Sequence, residues 1–129
     1  MRKHDYINSI AKIVRQNIDC DKKLTFLDIK EFLKGIGGYV SYNLNNSIYP
    51  VNIEKVGSTF VLRIDESLDD YSKVMFSLVE IGHLFLHFRY LDKDYYKNFW
   101  IDESSFFRYG RGLERAEAIK FADLVYNGL

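Results

Sequence analysis

The stretch Phe76-Ser77-Leu78-Val79-Glu80-Ile81-Gly82-His83-Leu84-Phe85-Leu86-His87 decides how this chain is read. It lies inside a run from about Asp69 to Phe88 that predicts one long helix, with Ser67 or Asp69 as its cap and acidic residues in the first turn. On a wheel of about 100° per residue, Val74, Met75, Phe76, Leu78, Val79, Ile81, Leu84, Phe85 and Leu86 point in nearly every direction, the pattern of a central, buried helix. One polar stripe interrupts it. Lys73, Glu80, His83 and His87 fall within roughly a quarter of the circumference, so ionisable groups share one side of a helix otherwise suited to the core.

Before this helix the period changes. Tyr39 to Leu44, Val51 to Val56 and Phe60 to Ile64 are short and rich in β-branched and aromatic residues, and Asn45, Asn46, Pro50, Gly57 and Ser58 supply turns between them. They predict a small antiparallel sheet of about three strands, because the loops are too short for helical crossovers. Two helices come first. Ile7, Ile10, Ala11, Val14 and Ile18 recur at helical spacing between Asp5 and Ile18. The second is signalled by Thr25 with Asp28 as a capping-box variant and by Leu27, Phe32, Leu33 and Ile36; Gly35, Gly37 and Gly38 end it. The fold class is therefore α+β.

Beyond the central helix, Arg89 to Gly112 is dense in aromatics (Tyr90, Tyr95, Tyr96, Phe99, Trp100, Phe106, Phe107, Tyr109) with no clear period, and core filling is the default reading. A last helix runs from about Leu113 to Tyr126, with Leu113, Phe121, Leu124 and Val125 on its apolar side. Glu117 is four residues from both Leu113 and Phe121, so that stripe carries a carboxylate inward. Glu80, His83 and His87 with an inward Glu117 are groups able to bind a metal or move a proton.

Composition narrows the partners. The 129 residues fit one domain, 1–129, and 47% hydrophobic against 28% charged residues is enough to order the chain. Formal net charge is zero and the basic residues are scattered, which argues against nucleic-acid binding; so does a Gly-Gly step directly after the second helix. One cysteine, Cys20, cannot form an internal disulfide. With neither an apolar leader nor a membrane-spanning run, a cytoplasmic location is expected.

The run Phe76–His87 closely resembles the active-site helix of the ImmA/IrrE metallopeptidase family, which usually reads F-[ST]-L-A-H-E-L-G-H-L-x-L-H. Glu117-Ala118-Ile119-Lys120-Phe121-Ala122 looks like its E-A-N-x-F-A motif. The turn and strand Gly57–Ile64 precede the helix as in that family, so the resemblance extends across most of the chain and implies a zincin-like fold. By position, it implies Glu80 as general base and His83 and Glu117 as zinc ligands; His87, four residues after His83, is a candidate to grip a metal jointly with it. The HExxH pattern is broken, however: Val79 stands where the first histidine belongs, or that histidine has been skipped between Val79 and Glu80. Losing one imidazole of three ligands leaves a partial chelate, so a weakened zinc site is expected.

The resemblance also implies action on a helix-turn-helix repressor of a mobile element or stress regulon. Two functions follow: a zinc metallo-endopeptidase with weakened or lost hydrolysis, or an inactive protein-binding module that sequesters a regulator. The structural alternatives are a hydrogen-bonded Glu80–His83 pair, a packing role for His87, and a Glu117 paired with Lys73 or Lys120.

Overall fold

The computed structural model describes residues 3–20, 22–44, 49–94 and 112–128. Among the described residues, four helices and one three-stranded sheet make an α+β fold: α1 (Lys3–Gln16), α2 (Phe26–Gly35), β1 (Tyr39–Ser41), β2 (Val51–Val56), β3 (Thr59–Ile64), α3 (Asp70–Gly82) continued by a π-helical turn (His83–His87), and α4 (Gly112–Asn127). All seven aromatics of the dense segment after Tyr90, from Tyr95 to Tyr109, lie outside the described residues.

Local chemistry explains where the helices begin. Thr25 and Asp28 form the expected capping box: the Thr25 hydroxyl accepts from the Asp28 amide and the Asp28 carboxylate accepts from the Thr25 amide. The next amide, Phe26 N–H, donates to the carboxylate of Asp70, so the start of α2 is tied to the start of α3. Asp69 caps α3 by accepting from the Ser72 amide at 2.7 Å. On α2 the buried side is Phe26, Ile29, Phe32 and Leu33, whereas Leu27 is exposed and does not share the apolar side expected of it.

The sheet departs from the antiparallel expectation. Its order is β1-β3-β2, with β2 and β3 antiparallel but β1 parallel to β3, Tyr39 facing Val61 and Ser41 facing Arg63. Short loops do exclude a helical crossover, but they do not require consecutive strands to be neighbours. The β2–β3 hairpin returns the chain into the middle of the sheet, beside β1 and in its direction. Gly57, at φ 61, takes the first central position of the two-residue turn between Val56 and Thr59, where a side chain would be strained.

Helix α3 lies against α2, β2 and α4, and α1 lies against α4. Val74, Leu78 and Ile81 are completely buried, but Phe76 is 40% exposed and Val79 half-buried, so α3 is central without being enclosed on every side. On α4 the inward residues are Glu117, Ala118, Phe121, Ala122 and Val125. Leu113, expected among them, is exposed. A stripe that faces the core at positions 117, 118, 121, 122 and 125 has rotated away one turn earlier. No helix among the described residues is long and apolar enough to cross a membrane.

The corner between α2 and β1 is closed by a buried aromatic group. The Phe60 ring, 1% exposed, meets Tyr90 edge-on with centroids 5.5 Å apart, and the Tyr90 hydroxyl donates to the carbonyl of Ile36. A Cβ on Gly38 would run into the Phe60 ring, which has no room to swing away. Gly38→Ala is expected to destabilise the fold by about 1–3 kcal/mol. Urea unfolding should show that Phe60→Leu in the same chain recovers part of that loss.

Candidate functional site

The site forms where the end of α3 passes α4, and a glycine makes the approach close. A Cβ on Gly82 would stand 3.1 Å from Ala118 Cα, 3.2 Å from its carbonyl oxygen and 3.0 Å from the Phe121 ring. With hydrogen in that place, the residues just after Gly82 come level with Glu117, the neighbour of Ala118. Sequence patterning placed Glu117 inward, and it is inward, 7% exposed.

Immediately after Gly82 the helix widens. The Phe88 amide donates to the His83 carbonyl, a five-residue step, and Arg89 at φ 54 ends the helix in the left-handed region. Along this turn the rings of His83 and His87 sit with centroids 4.9 Å apart and tilted by 44°. Their Nδ1 atoms are 2.8 Å apart, and His87 Nε2 is 3.0 Å from Glu117 Oε1. The other carboxylate oxygen of Glu117 meets Lys3 Nζ of α1 at 3.1 Å. Lys3, Glu117, His87 and His83 thus form a chain in that order.

The charged end fixes the direction of the contact beside it. Paired with the Lys3 ammonium, Glu117 is a carboxylate and only accepts, so His87 donates to it through Nε2–H. The second contact of His87 is with His83, one proton lying between the two Nδ1 atoms. Burial pulls Glu117 upward, but the hydrogen bonds from His87 and Lys3 outweigh it and hold the carboxyl below the ordinary glutamate range. Burial, with the nearby His87 and Arg115, pushes His83 down to about 3, so its imidazole is neutral.

The remaining predicted residues stand apart from this chain. Glu80 is 8% exposed, and burial raises its carboxyl well above the ordinary range against the opposing pull of the Arg115 guanidinium. It is not the partner of His83 that a simple buried pair would require; His83 takes His87 instead. Lys73, the fourth member of the polar stripe, lies over the Phe26 ring at 5.6 Å. Neither Lys73 nor Lys120 pairs with Glu117: Lys120 meets His4, and Lys3 takes the carboxylate. Lys3 and Arg115 were not legible as site residues, because nothing in local spacing brings a residue of α1, or an exposed arginine of α4, to a motif on α3.

A zinc site of the kind the resemblance implies needs three donor atoms converging on one point. Here His87 stands between His83 and Glu117, and both nitrogens of His87 and both oxygens of Glu117 are engaged within the chain. Val79 offers no donor. Among the described residues no group of three or more His, Cys, Asp or Glu side chains is arranged to hold a metal ion. The donor set does not fit the three-ligand site. No family model, curated protein or solved structure matches the chain. The likeness to the metallopeptidases therefore stands on the motifs around α3 and α4.

Two outcomes follow from this geometry. Gly82→Ala gains about 0.8–1.0 kcal/mol of helix propensity but forces α3 and α4 apart at a strain of about 1–3 kcal/mol. A net loss of about 1 kcal/mol in urea unfolding is expected. For Glu80 the sign comes from proton linkage. The folded state holds the proton more tightly than the unfolded chain, so stability falls as pH rises from the ordinary value of 4.5 toward the raised folded value. Glu80→Gln should flatten that slope, and urea midpoints of the two proteins should diverge in favour of the variant as pH increases.

Proposed function

We propose that this protein is a non-hydrolytic relative of the ImmA/IrrE metallopeptidases that works by binding a protein regulator, with a helix-turn-helix repressor as the partner the resemblance implies. The observation that carries the reading is His87 lying between His83 and Glu117, hydrogen-bonded to both. Hydrolysis of the zincin type requires those two residues to face a common ion and a carboxylate beside it to take a proton from water. Glu80 has the right position in the motif. Its burial, however, favours the protonated form, which cannot act as that base. The order of motifs, and the meeting of Glu117 with the histidine-bearing helix, support descent from such a scaffold. The groove that would have held substrate is then the surface for the partner.

The test is metal content of the purified, undialysed chain by elemental mass spectrometry, beside hydrolysis of an unstructured repressor peptide with zinc added. Zinc far below one per chain and no zinc-dependent cleavage are expected; zinc-dependent cleavage would sink the reading. Val79→His puts a second imidazole four residues before His83, with Glu80 next to it, and should raise zinc affinity on the order of tenfold or more. The same is expected of a histidine inserted between Val79 and Glu80. Unchanged zinc binding in both proteins, measured by calorimetry, would remove the link to the metallopeptidase motif.

A further inference from the structure

We infer that Lys3, Glu117, His87 and His83 form a metal-free clasp, a chain of two hydrogen bonds and an ion pair that joins α1, α4 and the end of α3 where a zinc ion would otherwise be the link. The four residues come from three helices. His83 is completely buried, Glu117 is 7% exposed and the His87 side chain 9%, so the central contacts are largely withdrawn from water. Polar groups in such a place are costly unless each finds a partner. The contacts at 2.8 and 3.0 Å supply one to both nitrogens of His87, to Nδ1 of His83 and to Oε1 of Glu117, and the Lys3 ammonium pairs with Oε2 of Glu117 at 3.1 Å.

This chain and a three-ligand site made of His83, His87 and Glu117 exclude each other. For His87 itself to bind, one of its ring nitrogens would have to abandon a hydrogen bond. The close approach of Gly82 to Ala118 is already made with the hydrogen bonds in place, so the helices need no ion to meet. A buried imidazole has thus become the bridge. The inference concerns what closes the site and does not depend on which partner the protein binds.

Thermal unfolding of the full chain tests it, run in buffer, with a chelator and with added zinc chloride. The wild-type midpoint is expected to be the same in all three. His87→Gln, which can keep a donor facing Glu117 but has no polar atom at the Nδ1 position facing His83, should lower it by about 5 °C. Combining it with Glu117→Ala should cost less than the sum of the two single losses, as expected of groups in one network. A fall with chelator or a rise with zinc in the wild type would overturn the clasp, as would a wild-type midpoint in His87→Gln. Should the variants fail to fold, nitrogen NMR of the wild-type imidazoles decides: a proton on His87 Nε2 is expected, and an Nε2 without one overturns the clasp. Peptide cleavage is read separately, so failure of the clasp is distinguishable from failure of the binding role.

Discussion

The close crossing of α3 and α4 at Gly82 is the constraint on which the rest of the structure depends. Helices that meet through larger side chains stand about 8–10 Å apart, and small residues allow closer approach. Here hydrogen replaces a side chain opposite Ala118, and the Phe121 ring fills the space alongside. The crossing buries Ala118, Phe121, Ala122 and Val125 on one helix against Leu78 and Ile81 on the other. It also carries Glu117 and the two histidines into the same interior corner. Packing and polar chemistry are therefore set by one contact.

Burying three ionisable side chains at that corner is tolerated because they are neutral or paired. His83 loses its charge, Glu117 keeps its own against Lys3, and His87 passes a hydrogen bond from one to the other. Glu80 follows the other route available to a buried carboxyl. With Arg115 as its main charged neighbour among the described residues, its burial favours the protonated form. The two glutamates thus share a helix crossing but differ in state, for reasons of partner geometry and not of residue type.

Several features were legible before any coordinates. Thr25 with Asp28, and Asp69 ahead of α3, mark helix starts through side-chain hydrogen bonds made within three residues, and such local chemistry survives in any context. The hairpin at Gly57 is of the same kind. The inward turn of Glu117 was readable from its spacing to Phe121. Leu27 and Leu113 were misplaced because apolar periodicity near a helix end spans too few turns to fix which side the core lies on. The parallel pairing of β1 escaped notice because strand adjacency is a property of the whole sheet, not of loop length.

Sequence alone determined the inventory: α+β elements, a central helix that carries Glu80, His83 and His87, and an inward acid on the last helix. Each depends on neighbours within a few residues, where the backbone period dictates who shares a face. Only the tertiary structure decided how those groups are used. Lys3 and Glu117 are far apart along the chain and His87 is reached from both sides, so the order of these contacts depends on how α1, α3 and α4 cross. Spacing can place a donor on a face; it takes the packing of several faces to decide whether donors converge on an ion or on one another.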